Sequence, residues 1–312
     1  MEKTIDIICA GEVLIDFIGH EVNTSINRTK DYHRFLGGSP TNVAVNASRL
    51  GLKSALIATC GQDGLGEYIV RKLKENHVIT NQVKKLEGVP TSIILVSKSS
   101  GTPDFIPYRE ADYQIEQSQI PDELVASAKI FHTTCFALSK NPARTTILES
   151  AKKAKELGLL TSIDINFSER IWPDREEAKL VLKEYLSTNP LVKLSEDDCY
   201  RLFSESKTED FIFEYFHALG ASTICLTKGK DGVVLSNTDF GMFHQKALPV
   251  EDIKDATGAG DAFWTGFLYA QLENKNLEES ITIAQKLAVL KLQNVGRLPE
   301  GINFREYLNI ES

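Results

Sequence analysis

The sequence predicts an α/β protein in which helices cover both faces of a mostly parallel sheet, with a small second β-sheet beside it as a lid. Short apolar segments rich in β-branched residues alternate with amphipathic helical patterns through most of the chain, as in βαβ units. Two segments, at about 16–35 and 91–113, break this rhythm because no helix follows their strand-like alternation. We expect these two segments to pair into a small antiparallel sheet.

The first βαβ unit is predicted from strands at Ile5–Ala10 and 54–59, with a helix at 39–50 between them. Ser39 can cap this helix, and Gly51 is placed to end it. The other predicted helices are 66–76, 145–157, 178–186, 208–219, 262–272 and 277–293, and the other predicted strands are 159–165 and 222–227. Since no linker, repeat or low-complexity tract divides the chain, we expect one domain over 1–312 that includes the lid strands.

The composition is that of a globular protein and narrows the function classes. The chain has 312 residues and a formal net charge of −8, with 42% hydrophobic and 25% charged residues. This acidic balance disfavours nucleic acid or an anionic membrane as a partner, although it permits an anionic substrate. Five scattered cysteines without a CxxC pair indicate neither a disulfide framework nor a zinc site. Because no signal-peptide or transmembrane pattern is present, we expect a cytoplasmic protein.

The most informative segment is DATGAGDAF at 255–263. Its glycines leave backbone N–H groups open to close approach, and the N-terminus of the helix that follows adds a partial positive charge. Together they predict a site for a phosphate or a developing phosphoryl charge. Asp261 lies beside that site, where a carboxylate can take a proton from an attacking hydroxyl. The plainer interpretation is that the helix dipole alone favours an aspartate in a first turn.

Three further segments carry polar groups that suit a polyol. A Gly-Gly pair ending at Gly38 precedes a helix whose first turns carry Asn42, and an amide side chain both donates and accepts hydrogen bonds. Asp16 follows an apolar run, where a carboxylate can bind two hydroxyls, and Arg109 falls in the proposed lid. Each has a plainer interpretation as well: a capped loop, a solvated strand end, and an exposed salt bridge with Asp112.

The GGSPTN segment at 37–42 and the DATGAGDAF segment, in this order and at this separation, resemble the two signatures of the ribokinase-like (PfkB) carbohydrate kinases. The resemblance covers nearly the whole chain. It implies a three-layer α/β/α sandwich with a β-sheet lid over a sugar, which agrees with the two lid-like segments.

The same resemblance implies roles for individual residues. The implied catalytic positions are Asp261 as the base and Gly258, Ala259 and Gly260 as the anion hole, and the implied sugar-binding positions are Asp16, Gly38, Asn42, Arg109 and Asn166. The implied nucleotide-binding positions are Ser195, Thr227, Gly229, Gly232 and Asn294. The implied metal positions are Asp198 for Mg²⁺ and phosphates, and Asp255 and Thr257 for a monovalent cation such as K⁺. The family pattern has an arginine where this chain has Ser168, and Arg170 is the candidate replacement at the sugar.

Within the family the chain is most similar to fructokinases, in GGSPTN and in the lid segment around Tyr108 and Arg109. This implies an ATP-dependent kinase that uses Mg²⁺ and phosphorylates a primary hydroxyl of a small sugar, with fructose as the first expectation. Kinases of 2-keto-3-deoxygluconate and 5-dehydro-2-deoxygluconate share much of the pattern and stay open as alternatives. A nucleoside kinase and a non-catalytic sugar-binding sensor are further alternatives. Exposed lid edges also make a homodimer through the lid an expectation.

Overall fold

A computed structural model describes residues 2–98, 104–295, 298–299 and 302–308. The strands in these ranges are β1 Ile5–Ala10, β2 Leu14–Val22, β3 Tyr32–Gly37, β4 Ser54–Gly61, β5 Ile79–Leu86, β6 Ile93–Lys98, β7 Phe105–Tyr108, β8 Ala128–Thr134, β9 Leu160–Asp164, β10 Leu191–Ser195, β11 Thr223–Thr227, β12 Val233–Asn237 and β13 Gly241–Gln245. The α-helices are α1 Ser39–Arg49, α2 Gly64–Glu75, α3 Asp122–Ala126, α4 Ala143–Glu156, α5 Arg175–Leu186, α6 Glu196–Phe203, α7 Glu209–Ala218, α8 Ala259–Leu272, α9 Leu277–Leu292 and α10 Phe304–Tyr307.

The large sheet has the strand order β13-β12-β11-β10-β9-β8-β1-β4-β5. The seven strands from β11 to β5 run parallel, and β12 and β13 extend one edge as an antiparallel meander. Apolar side chains of α3 to α7 pack on one face, and those of α1, α2, α8 and α9 pack on the other. The predicted mostly parallel sheet between two helical layers is therefore confirmed. The five cysteines are all buried and free, as their scatter indicated.

The small sheet has the order β3-β2-β6-β7. The two predicted lid segments supply these strands, so the prediction of a separate small sheet is confirmed. The predicted antiparallel pairing is wrong for the central pair, because β2 and β6 run parallel, with Ile15 opposite Ile93. Since β2 follows β1 and β6 follows β5, both excursions leave the same carboxyl edge of the large sheet and enter the lid in the same direction. Only the outer pairs, β2 with β3 and β6 with β7, are antiparallel.

Two helix starts differ from the predictions at the point where the helices approach the sheet edge. α1 has Gly38, not Ser39, at its N-cap, and no side chain caps it. α8 begins at Ala259, three residues earlier than predicted, and its N-cap residue Gly258 has a left-handed backbone with φ +75°. Asp261 therefore lies within the first turn of α8. No helix in the described parts of the chain is long and apolar enough to span a bilayer.

The packing of α8 against α9 generates a stability prediction, because Gly266 of α8 lies against the backbone of α9. A Cβ at Gly266 would lie 2.8 Å from Ala284 Cα and 3.1 Å from Ile283 O, so Gly266→Ala must push the helices apart. We expect this variant to lower the free energy of unfolding by about 1–3 kcal/mol in urea titrations. The matched control is Gly64→Ala in α2, where a new methyl group meets nothing within 4 Å. Equal stability of both variants would contradict the packing described.

Candidate active site

Polar residues gather where the parallel strands of the large sheet end. Glu12 follows β1, Thr134 ends β8, Asp164 ends β9 and Ser195 ends β10. The N-termini of α1 and α8 reach the same edge. In open α/β sheets this carboxyl edge is where ligands bind. The lid sheet extends from this edge as well, because its strands follow β1 and β5.

The Asp261 carboxylate is held by two side chains of α1. Ser39 Oγ donates to Oδ1 at 2.6 Å, and Asn42 Nδ2 donates to Oδ2 at 2.7 Å. Burial raises the pKa of Asp261, and these two hydrogen bonds and the charges of Lys193 and Lys291 act against that rise. Each carboxylate oxygen keeps a lone pair beyond the one used by α1, so the group is oriented and still able to accept a proton.

The turn before α8 presents backbone N–H groups beside that carboxylate. The left-handed backbone of Gly258 favours glycine, and a Cβ there would lie 3.8 Å from both Asn42 Nδ2 and Asp261 Oδ2. The amides of Gly260 and Asp261 lie in the first turn, where a helix has no internal carbonyl to receive them. Such amides, together with the helix dipole, suit an anionic group.

A buried glutamate, Glu12, positions the start of α1. Glu12 Oε1 accepts a hydrogen bond from Ser39 N at 3.0 Å, and Oε2 accepts one from Thr134 Oγ1 at 2.9 Å. Burial raises the pKa of Glu12 to about 8. Gly38, with φ +100°, passes so close that a Cβ would lie 2.3 Å from Glu12 O. Packing therefore requires glycine at position 38, and the contact of Gly38 with a sugar stays a prediction.

Asp16 lies in β2 of the lid and faces the same site. Burial, and then the charge of Asp261, raise the pKa of Asp16 to about 7. Gly37 leaves room for it, because a Cβ at that position would lie 2.2 Å from Asp16 Oδ2. Asp16 and Asn42 line a cavity of about 500 Å³ that also reaches Gly258. The structure therefore brings Asp16 and Asn42, two of the predicted sugar-binding positions, to one cavity with Gly258 of the predicted anion hole.

Lys193 and Asp164 form a buried ion pair beside the turn before α8 (residues 258–260, the anion-binding turn). Lys193 Nζ lies 2.8 Å from Asp164 Oδ2 and 3.1 Å from Oδ1, and both side chains are buried. Burial acts to lower the pKa of Lys193, but the charges of Asp164 and Asp198 outweigh it and the net shift is upward. A Cβ at Gly260 would lie 3.0 Å from Lys193 Nζ, so this ammonium lies directly beside the start of α8.

The predicted nucleotide-binding positions lie at the ends of β10 and β11. Ser195 and Thr227 are register partners in this parallel pair. Gly229, with φ +54°, opens the 3₁₀ turn after β11. At Gly232 a Cβ would lie 2.1 Å from Gln245 O, so packing against β13 already requires glycine there. Asn294 is apart from this group, after α9, where its Nδ2 donates to Leu290 O at 2.7 Å.

Arg109, by contrast, is bound within the protein. Its Nε and Nη2 donate to Asp112 Oδ2 at 2.8 and 2.6 Å, and its Nη1 donates to Ser139 Oγ at 2.5 Å. The pair is buried rather than exposed, since the Asp112 side chain has no accessible surface and that of Arg109 has 5%. Arg109 therefore joins the end of the lid to the loop after β8. Its contact with a sugar stays a prediction.

Asn166 and Arg170 both follow β9, but they lie in different parts of the structure. Asn166 stays near the site, where its N donates to Asp164 Oδ1 at 3.2 Å. Arg170 is exposed and forms an ion pair with Asp104 and a hydrogen bond to Phe105 O, at the β7 end of the lid. The structure does not bring Arg170 to the Asp261 cluster, so its substitution for the family arginine missing at Ser168 stays a prediction.

Several residues of this site were not predicted from the sequence. Their roles depend on partners far along the chain, as in the pairs of Glu12 with Thr134 and of Lys193 with Asp164. The one local signal was a charged residue within an apolar run that otherwise reads as a buried strand. The missed residues are Glu12, Ser39 as a hydrogen-bond donor to Asp261, Asp164, Lys193 and Lys291.

Comparisons with known proteins show the family of this chain. Residues 4–299 match the family described as pfkB family carbohydrate kinase. The chain belongs to this family. It is 33% identical over 298 residues to an ATP-dependent 6-phosphofructokinase of Thermoanaerobacterium thermosaccharolyticum, which covers 95% of this chain and 91% of the relative.

Two solved structures of pfkB-type sugar kinases show the same fold. A fructokinase of Halothermothrix orenii is 34% identical with a TM-score of 0.82, and the match covers 93% of this chain and 100% of that one. An uncharacterized sugar kinase of Pyrococcus horikoshii, solved in complex with ATP, is 29% identical with a TM-score of 0.84, and the match covers 97% and 99%. The chain is therefore an ATP-dependent carbohydrate kinase with the ribokinase-like fold that the resemblance implied.

The described residues of this carbohydrate kinase fit a Mg²⁺ ion that arrives with ATP. They include no group of three or more His, Cys, Asp or Glu side chains able to hold a metal by themselves. Nucleotide-borne Mg²⁺ needs only one or two carboxylates besides the phosphates. Asp198 offers one: its Oδ2 accepts hydrogen bonds from Ser195 N and Oγ at 2.8 and 2.6 Å, and its Oδ1 lies 3.6 Å from Arg201.

The residues predicted for a monovalent cation do not fit one. Both the carboxylate and the carbonyl oxygen of Asp255 accept hydrogen bonds from Lys291 Nζ, at 3.0 and 3.3 Å. Thr257 is exposed, and its N donates to Asp255 Oδ1 at 3.0 Å. A lysine ammonium thus already lies among the oxygens that the resemblance assigned to K⁺.

The buried ion pair predicts a large stability effect. Lys193→Met leaves the Asp164 carboxylate buried without a cation, and we expect a loss of about 3–5 kcal/mol in the free energy of unfolding. Adding Asp164→Asn should restore part of that loss, because no uncompensated charge then remains. Chemical denaturation measures both variants. Lys152→Met, which removes an exposed ion pair with Glu184, is the control and should change stability by less than about 1 kcal/mol. A double variant no more stable than Lys193→Met would contradict the pairing.

The raised pKa of Asp16 predicts a pH effect on the reaction. Below about pH 7 Asp16 gains its proton in the free enzyme and binds hydroxyl donors less well, so kcat/KM for the acceptor should fall. Asp16→Asn removes the group that titrates, so the fall in kcat/KM near pH 7 should disappear while KM rises. Initial rates across pH measure this. Asp239→Asn, at an exposed position, is the control. An unchanged acidic limb in Asp16→Asn would contradict the titration of Asp16 as its cause.

Proposed function

We propose that this kinase transfers the γ-phosphoryl group of ATP to a primary hydroxyl of fructose. The observation that carries the proposal is the Asp261 carboxylate, which Ser39 and Asn42 hold at the N-terminus of α8. Asn42 and the neighbouring Gly258 also line the cavity that contains Asp16. A base beside an amide-lined anion site suits phosphoryl transfer to a hydroxyl. The choice of fructose is supported by the 34% identity to a fructokinase over nearly the whole chain.

The chemical step uses few groups of the protein. Asp261 accepts the proton of the attacking hydroxyl, the hydroxyl oxygen bonds to the γ-phosphorus, and the bond from that phosphorus to the β–γ bridging oxygen breaks to release ADP. The amides of Gly260 and Asp261 stabilise the charge on the transferring group, whereas Ala259 N already donates to Ala256 O. Mg²⁺, when bound with ATP, neutralises phosphate charge. The remaining task is positioning, which Ser39 and Asn42 perform for the base.

The lid would hold the rest of the sugar. Asp16 projects from β2 into the cavity, where a carboxylate can accept hydrogen bonds from two hydroxyls. Covering the sugar also excludes water, which would otherwise compete with it as the phosphoryl acceptor. Two edge strands, β3 and β7, remain on the lid, with Ile106 and Tyr108 of β7 exposed. A homodimer through these edges stays a prediction, as does the treatment of lid and sandwich as one domain.

Fructose 6-phosphate is a second candidate acceptor, and a specific observation favours it. The cavity that contains Asp16 is also lined by Arg34, Arg49 and Lys72. Arg34 is exposed and lies 3.9 Å from the centre of the Tyr68 ring, which leaves its guanidinium accessible to an anion. Basic side chains of this kind suit a phosphate on the far end of a sugar. The 33% identical relative named an ATP-dependent 6-phosphofructokinase supports this alternative.

ADP release with Mg²⁺–ATP across a panel of acceptors tests the proposal. The panel contains fructose, fructose 6-phosphate, 2-keto-3-deoxygluconate, 5-dehydro-2-deoxygluconate and adenosine. We expect fructose to give the highest kcat/KM. A strong preference for fructose 6-phosphate that Arg34→Ala weakens selectively would favour the second candidate. Turnover of adenosine or of a sugar acid alone would overturn both.

Asp261→Asn, run on the same panel, tests the base. The amide keeps the hydrogen-bonding shape but cannot take the hydroxyl proton, so kcat should fall by about 10²–10⁴-fold while sugar binding and the unfolding temperature are retained. Asp252→Asn, an exposed carboxylate nine residues earlier by number, is the matched control and should behave as wild type. Near wild-type turnover by Asp261→Asn would show that another group removes the proton.

A further inference from the structure

Lys291 lies at the end of α9 with its ammonium group buried against the turn that leads into α8. Its Nζ lies 3.0 Å from Asp255 Oδ2, 3.3 Å from Asp255 O and 3.1 Å from Asn294 O. The side chain is only 4% exposed. An ammonium has three N–H donors, so these three oxygens can account for all of them.

One carboxylate and two backbone carbonyls converging on a point form the all-oxygen surroundings that a hard cation takes in a protein. Here the cation at that point is covalently attached to the chain. A dissolved cation would find these oxygens already hydrogen-bonded, and it would be repelled by a buried positive charge at close range.

The same ammonium bears on the reacting groups. A Cβ at Gly258 would lie 3.9 Å from Lys291 Cε, so the side chain lies against the anion-binding turn. The charge of Lys291 also acts to lower the pKa of Asp261 against the effect of burial. Asp255 also stabilises the turn locally, because its Oδ1 accepts a hydrogen bond from Thr257 N. Lys291 therefore connects the end of α9 to the turn before α8, and its charge acts on the Asp261 carboxylate.

We infer that Lys291 is a built-in cation: a positioning residue that fixes the anion-binding turn permanently, so that this kinase needs no monovalent cation for activity. The inference rests on the kinase activity of the site and is independent of which sugar is the acceptor. It differs from the expectation of a K⁺ site at Asp255 and Thr257.

Wild-type enzyme gives the first test. Initial rates with Mg²⁺–ATP and whichever acceptor is turned over are measured in tetramethylammonium, sodium and potassium chloride at matched ionic strength. We expect rates within about twofold of one another, since general screening is then equal in the three salts. Activation by potassium of about tenfold or more over tetramethylammonium, an effect that matched ionic strength cannot produce, would overturn the inference.

Variants of Lys291 give the second test. Lys291→Ala should lose about 100-fold in kcat in tetramethylammonium, the scale expected for a misplaced catalytic turn, and should recover at least part of it in K⁺ or NH₄⁺. Lys291→Met should lose activity without recovery, because its side chain fills the space. Lys286→Ala is the matched control: this lysine is on the same helix and binds Leu308 O, at a distance from the turn. Wild-type activity of Lys291→Ala, or a loss that no small cation restores, would contradict the role.

Thermal unfolding of the same proteins gives a readout that needs no turnover. K⁺ should raise the Tm of Lys291→Ala above its value in tetramethylammonium and leave the Tm of wild type unchanged. A K⁺-dependent Tm of the wild type would count against the inference even if every sugar of the panel proved inactive. The Tm measurements therefore test the role of Lys291 even if no acceptor is found.

Discussion

The carboxylate of Asp261, bound by Ser39 and Asn42, is the interaction on which the rest of the site depends. These partners lie 222 and 219 residues apart in the sequence, at the first turns of α8 and α1. The two helices can meet only because both pack on the same face of the large sheet and begin at its carboxyl edge. The order of the strands, the glycine N-caps and the packing of α8 on α9 all serve to keep this one carboxylate in place.

Charged side chains of both signs lie around Asp261. Three buried or half-buried carboxylates, those of Glu12, Asp16 and Asp261, have raised pKa values. Two buried lysines, Lys193 and Lys291, lie on either side of the anion-binding turn. In the proposed reaction Asp16 and Asp261 would bind and deprotonate the hydroxyl, and the two lysines lie beside the turn that would accept phosphate charge. The proposed sugar side and phosphate side of the site would therefore differ in charge.

Much of this fold and part of this site could be predicted from the sequence, for reasons visible in particular segments. Amphipathic helices with glycine stops, such as α1 and α4, carry their own periodicity, and their bounds were predicted to within two residues. Strands β8 and β10 were not predicted, because short apolar runs that are buried on both faces lack alternation. The parallel pairing of β2 with β6 depends on the topology of the whole chain. Lys193 and Lys291 could not be placed, since a lysine has no local pattern that reveals a buried partner.

The separation in sequence of the lid strands has a consequence for how the protein is made. β2 and β6 pair across an intervening segment that holds β3, α1, β4, α2 and β5. Closing so long a loop carries an entropic cost that is recovered only once the intervening elements are packed. We expect the lid to form only after the elements between its two halves have packed. A nascent chain would then pack β4 and β5 beside β1 before its lid could hold a sugar.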